Sequence, residues 1–202
     1  MSADVGIIRT GAANLASVVT AFERLGRSIE ITDSAFAVRT AKRVVLPGVG
    51  AFAPVAARLH ENGLGAAIRY RVEEDLPTLA ICLGLHLLAA ASDEGAGVEG
   101  LGLLQATVSR FPDSVAVPQL GWNSIAADPE CRLLRDGAAY FANSYRLATR
   151  PPGWRAAWSD HGGRFVAAVE SGRVLGCQFH PELSGDWGVG LLERWLRCGE
   201  ES

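Results

Sequence analysis

The chain has 202 residues, 49% hydrophobic and 20% charged, with 19 basic and 22 acidic side chains for a net charge of -3. A chain of this length and polarity can bury a sizeable core, which excludes intrinsic disorder, collagen-like repeats and a small disulfide scaffold. The near balance of charge, with no long run of one sign, argues against a nucleic-acid or anionic-membrane surface.

Asp4, Arg9, Glu23, Arg24 and Arg27 interrupt the N-terminal region, leaving no apolar run for a signal peptide. Leu76 to Ala91, the longest weakly polar stretch, is shorter than the roughly 18–20 residues that span a bilayer and contains His86. The expectation is a single domain over residues 1–202, cytoplasmic, with no membrane or nucleic-acid partner. Cys82, Cys131, Cys177 and Cys198 include no CxxC pair, so neither a zinc site nor a disulfide framework is suggested.

Taken in chain order, Val5 to Ile8 reads as a buried strand. Asn14 caps a helical pattern in which Leu15, Val18, Val19, Phe22 and Leu25 share a face, ending near Gly26. Ser28 to Thr32 and Arg43 to Leu46 are the next strands, the latter stopped by Pro47. A helical region runs from Phe52 to Asp75, Leu79 to Ile81 is a fourth strand, and Leu83 to Ala91 is helical. This alternation of strand and helix predicts an α/β fold: an open, mostly parallel twisted sheet with helices on both faces. After Gly95, Leu103 to Phe111, Trp122 to Ala126, Tyr140 to Tyr145, Arg155 to Ser159, Phe165 to Val169 and Val174 to Phe179 read as closely spaced strands. They add an antiparallel region. A last amphipathic helix presents Val189, Leu191, Leu192 and Trp195.

Chemistry concentrates in three segments. In Leu79-Ala-Ile-Cys-Leu-Gly84 a strand runs through Cys82 directly into a helix, a turn that needs small neighbours, here Ala80 and Gly84. The helix N-terminus favours a thiolate there. In Val174-Leu-Gly-Cys-Gln-Phe-His-Pro-Glu182, Pro181 keeps His180 out of the helical region. An extended chain then returns Glu182 to the same side as the imidazole, where it could orient a general base. Leu46-Pro-Gly-Val-Gly-Ala-Phe52 ends a parallel strand with glycines whose backbone N–H groups could approach a substrate. On these residues alone, a core cysteine, a strand-ending turn and an ordinary loop stay open as alternatives. Gly95 to Gly100 matches GxGxxG but follows a helix and precedes a strand, the reverse of a dinucleotide site. His60 and His161 read as solvated, Cys131 and Cys177 as structural.

The order Pro47-Gly-Val-Gly-Ala-Phe52, Ala80-Ile-Cys-Leu-Gly84 and Gln178-Phe-His-Pro-Glu182 resembles the class I glutamine amidotransferases. Pro118-Gln-Leu-Gly-Trp-Asn123 and Tyr140-Phe-Ala-Asn-Ser-Tyr145 extend the likeness nearly end to end. They bring it nearest the glutaminase branch that serves imidazole glycerol phosphate synthases. The resemblance implies that Cys82 attacks the glutamine carboxamide, His180 shuttles protons and Glu182 orients it. Backbone groups of Gly48, Val49, Gly50 and Leu83 would bind the oxyanion, and His86, Glu94, Ser144 and Tyr145 the rest of the substrate. It further implies a cyclase partner with a (β/α)8 barrel, met by Asn14, Gln119, Trp122, Tyr140 and Leu183, and no cofactor or metal.

Some positions depart from that pattern. Leu85-His86 replace Met-Gln, Asn143 and Gln119 each replace His, Leu183 replaces Lys and Ala80 replaces Gly. Such changes also suit a glutaminase serving a paralogous synthase, a non-catalytic scaffold subunit, or another cysteine hydrolase on the same fold.

Overall fold

The computed structural model of the chain describes residues 3–11, 15–95 and 97–198. Its first half comprises β1 (Val5–Ile8), α1 (Leu15–Arg24), β2 (Ile29–Thr32), α2 (Ala35–Thr40), β3 (Val44–Gly48), α3 (Phe52–Glu61), α4 (Leu64–Glu73), β4 (Thr78–Cys82) and α5 (Leu83–Leu88). Then follow β5 (Ala89–Ser92), β6 (Leu104–Arg110), β7 (Gln119–Ala127), β8 (Gly137–Asn143), β9 (Tyr145–Leu147), β10 (Arg155–Asp160), β11 (Arg164–Ser171), β12 (Val174–Cys177) and α6 (Gly185–Arg197).

One sheet runs in the order β2-β1-β3-β4-β12-β11-β10-β7-β8. From β2 to β12 every neighbour is parallel; from β12 to β8 every neighbour is antiparallel. The period-2 alternation of strand side chains sorts the core onto two faces. Val45, Leu79 and Ile81 pack with α1 and α6 through Val18, Phe22, Leu192 and Trp195. Val44, Leu46 and Ala80 pack with α2 to α5 through Val38, Phe52, Leu59, Ile68 and Leu87. The parallel sheet with helices on both faces and an antiparallel extension is the architecture read from the sequence.

Several boundaries differ from the sequence reading. The helical region from Phe52 to Asp75 is two helices, broken at Gly63 in the left-handed conformation. α2 went unread, although Ser34 caps it by accepting from the Ala37 N–H at 3.3 Å. The helix from Leu83 stops at Leu88 rather than Ala91. The returning segment supplies N–H groups from Leu101 to Leu87 O and from Leu103 to Leu88 O, and Ala89–Ser92 pairs with β6. The glycine-rich segment therefore follows a strand and a 3₁₀ turn, not a helix, and the next element after it is the strand β6. Pro47 lies within β3, beyond the residues that pair with β1. Ser144 divides β8 from β9, β12 ends at Cys177, and Val189 of α6 is exposed. Asn14 lies outside the described residues. No helix among those described is long and apolar enough to cross a membrane.

Arg71 ties down the starts of the strands whose far ends carry the site. It is fully buried on α4 and donates to Ala41 O at 2.7 Å, Pro77 O at 2.8 Å and Val38 O at 3.0 Å. These carbonyls close α2 and precede β3 and β4, so a single planar guanidinium satisfies them together. Replacing Arg71 with Leu leaves them without their donor and is expected to lower stability by about 3 kcal/mol. Arg71→Lys, with one compact charge, should recover only part of this, as read from urea unfolding midpoints at constant slope.

Candidate active site

β12 lies beside β4 with Cys177 opposite Ile81. The residues that follow, Cys82 on one strand and Gln178 to His180 on the other, therefore emerge at the same end of the sheet. At Cys82 the backbone takes φ 54° and ψ -110°, and α5 starts at the next residue. A non-glycine residue holds such a conformation only where its surroundings impose it. A Cβ added at Gly84 would sit 2.0 Å from Leu46 O, so only glycine lets the new helix pass β3. Gly48 pairs with Cys82, and a Cβ there would meet Leu83 Cβ at 2.8 Å. Ala80, between Leu46 and Gly176, is fully buried and its methyl is accommodated.

Pro181 holds His180 extended at φ -99° and ψ 97°. The chain then departs from the extended path read from the sequence, turning through a 3₁₀ segment at Pro181–Leu183. Glu182 reaches the imidazole from that turn, its Oε1 2.8 Å from His180 Nδ1. The main chain of His180 is fixed on both sides, donating to Tyr140 O at 2.9 Å and accepting from Ser184 Oγ at 2.6 Å. Burial pulls the His180 pKa down, but hydrogen bonds to Cys82 and Glu182, reinforced by their charge, outweigh it and raise the pKa to about 10. At neutral pH the ring is an imidazolium between a carboxylate and a sulfur.

Cys82 and His180 open onto a cavity of about 330 Å³. Val49, Gly50, Leu83, His86, Glu94 and Ala142 to Tyr145 complete its lining. Because α5 begins at Leu83, its first N–H groups have no partner within the helix, and Leu83 itself lines this space. The Glu94 carboxyl has its pKa raised by burial, against a backbone hydrogen bond from Phe52 that lowers it. Gly48 and Glu182 stand behind the wall rather than in it. A thiol at a strained helix N-terminus, a base beside it and a carboxylate fixing the base are the parts of a nucleophilic site. Away from this site, burial pushes the Cys131 thiol up to about 11 and the Cys177 thiol well up from the ordinary value.

Two residues escaped the sequence reading. Gln178, fully buried, joins His86 to Cys82: its Oε1 lies 2.7 Å from His86 Nε2 and its Nε2 3.9 Å from the Cys82 sulfur. The signal was present, since Gln178 and His180 are two apart on an extended segment. Leu120 is the second. It is 70% exposed beside Trp122 at 60%, whereas Gln119 is buried opposite Asn143. Trp122 packs edge-on to Tyr140 with centroids 6.4 Å apart, and Leu183 is also exposed. His60 is exposed as read, but His161 is half-buried with its ring edge-on to Phe111; each has a ring nitrogen near a backbone carbonyl, Glu99 O and Ala116 O.

Residues 7–195 match the family model for glutamine amidotransferase class-I. The chain belongs to this family. It is 40% identical over 195 residues to the imidazole glycerol phosphate synthase subunit HisH of Moorella thermoacetica, covering 95% of this chain and 93% of that one. It is 36% identical to the imidazole glycerol phosphate synthase hisHF, chloroplastic, of Arabidopsis thaliana, covering 95% of this chain and 34% of that larger protein. The glutaminase domain of Trypanosoma brucei CTPS superposes with a TM-score of 0.69 at 16% identity, covering 98% of this chain and 94% of that one, a likeness of fold. His86, which departs from the pattern of the resemblance, is buried in this amidotransferase.

Two outcomes follow from this geometry. Cys82→Gly should be at least as stable as Cys82→Ala, reversing the usual order by about 1 kcal/mol, because glycine relieves the strained φ; thermal unfolding of the pair measures it. His86 has its pKa lowered to about 4 by burial, partly offset by Gln178. Its neutral form therefore stabilises the fold fully above about pH 6.5, and that contribution is lost as pH falls through 4. His86→Gln should show a shallower loss of urea resistance between those two pH values than the parent.

Proposed function

We propose that this chain is the glutaminase subunit of an imidazole glycerol phosphate synthase. It would release ammonia from glutamine at Cys82 and pass it to a cyclase subunit built as a (β/α)8 barrel. One observation carries the reading: a cysteine at a strained strand-to-helix turn shares a 330 Å³ cavity with an imidazole that a buried carboxylate holds at 2.8 Å. The 40% identity to a synthase subunit along nearly the whole chain supports the choice of branch.

The thiolate of Cys82 attacks the carboxamide carbon, forming a C–S bond and moving the carbonyl electrons onto oxygen. The N–H groups of Leu83 and of the Val49-Gly50 loop receive that oxyanion. As the C–N bond breaks, the His180 imidazolium gives its proton to the departing nitrogen and ammonia leaves. Water then attacks the thioester while neutral His180 takes its proton; the C–S bond breaks and glutamate departs, restoring the thiolate and imidazolium. Glu182 stabilises the ring in its charged form and fixes Nδ1–H, leaving Nε2 for the reacting groups. Glu94 receives the amino group of glutamine, and the backbone near Ser144 and Tyr145 the other side of the substrate.

The partner is proposed to sit on the exposed face of Leu120, Trp122, Tyr140 and Leu183. Such a location has a physical use. The Tyr140 carbonyl accepts from the His180 N–H, and Ser184 Oγ bridges both backbones. Pressure on that face would therefore reach the catalytic base through these three hydrogen bonds.

Reconstitution with a cyclase subunit tests the proposal. Glutamine-dependent product and glutamate release should both fall about 10³-fold or more in Cys82→Ala, while product formed from added ammonium salt is retained. Equal glutamate release by the parent and Cys82→Ala would overturn it.

A further inference from the structure

We propose that Gln178 is a positioning residue for Cys82, its side-chain amide aimed at the sulfur by His86. The inference rests on reading Cys82 as the nucleophile. It goes further in assigning a hydrogen-bond relay from His86 through Gln178 to the sulfur, separate from the His180–Glu182 pair.

The orientation follows from which atoms carry hydrogen. His86 Nε2 and Gln178 Oε1 are 2.7 Å apart, and an amide oxygen can only accept, so the ring is the tautomer protonated at Nε2. With its oxygen engaged, the amide presents its NH2 group to the Cys82 sulfur at 3.9 Å. Turning the amide over would set Oε1 against a sulfur anion, a repulsion that no change of the His86 tautomer relieves. Neither side chain can escape to water, since Gln178 is fully buried, His86 is nearly so, and the Gln178 N–H is tied to Ala167 O at 2.8 Å. Burial of His86 keeps its ring neutral, the form with one N–H to give.

The surroundings make this donor useful. The titratable groups facing the site are His180 after β12, backed by Glu182, His86 on α5, Glu94 beyond β5 and Tyr145 at β9, and none of the residues lining the cavity is Lys or Arg. Apart from His180, side-chain stabilisation of a sulfur anion falls to the amide. A neutral donor does this without adding a second cation to compete with the imidazolium for the anion.

Alkylation of Cys82 in the full chain by iodoacetamide, without glutamine, tests the relay. It is followed across pH by peptide mass spectrometry, which separates Cys82 from Cys131, Cys177 and Cys198. In Gln178→Leu and His86→Leu the rate at pH 7 should fall about threefold and the profile move to higher pH, with no drop in the alkaline plateau. Losing the donor makes the thiolate scarcer but intrinsically more nucleophilic. His86→Gln, whose amide can also donate to Gln178 Oε1, should keep the parent profile. Gln178→Glu, placing a carboxylate beside the sulfur, should slow the reaction more than Gln178→Leu. Gln178→Met, close to glutamine in volume, carries the test where Leu prevents folding. An unshifted profile in Gln178→Leu or Gln178→Met overturns the inference, as does an equal loss at every pH, which marks a packing defect. A shifted profile in a parent protein that releases no glutamate would instead fault the glutaminase reading and leave the relay standing.

Discussion

The parallel pairing of β4 with β12 is the constraint on which the site depends. It joins the fourth strand of the chain to the last, with Thr78 to Ile81 in register with Val174 to Cys177. Nothing local would bring Cys82 near His180, about a hundred residues apart; the ladder between their strands does so with backbone hydrogen bonds alone. Because side chains alternate along a strand, that register also decides which later residues face the sulfur. A slip by one would exchange Phe179 for His180 and Gln178 at the cavity.

Strain at Cys82 is sustained by the same sheet. A residue at φ 54° relaxes unless both its neighbours are fixed. Here β4 is flanked by β3 and β12, and the first turn of α5 presses on Leu46 O across a gap that admits only Gly84. Arg71 anchors the opposite ends of β3 and β4 through carbonyls before Val44 and Thr78. The reactive turn is thus the free end of strands held at their starts by a buried cation and along their length by pairing, so the preorganisation belongs to the sheet as a whole.

Much of this was legible before any coordinates. The βα alternation, the cysteine at a strand-to-helix junction and the His-Pro-Glu turn are written in short-range patterns of apolar runs, glycine and proline. What escaped was decided at long range. Ala89 to Ser92 has helical propensity, yet becomes strand because the segment from Gly100 to Leu103 returns to cap α5 and β6 offers a ladder. Glu182 meets His180 through a 3₁₀ turn and not along an extended chain, since residues 181 to 183 begin the descent into α6. Gln119 was read with the exposed face although it alternates away from Trp122. Gln178 drew no notice because a glutamine beside a motif has no chemistry until its two neighbours in space are known.

Two histidines flank one sulfur, and the fold holds them in opposite protonation states. Both are buried, so desolvation pushes each toward neutrality. His180 is overruled by a carboxylate and a sulfur and keeps its proton to about pH 10, whereas His86 has only a neutral amide to offset burial and stays uncharged down to about pH 4. The difference comes from what each ring meets, not from depth. The two rings therefore bring unlike properties to one cavity: His180 a charge held against burial by Glu182 and the sulfur, His86 a neutral ring 2.7 Å from Gln178 Oε1.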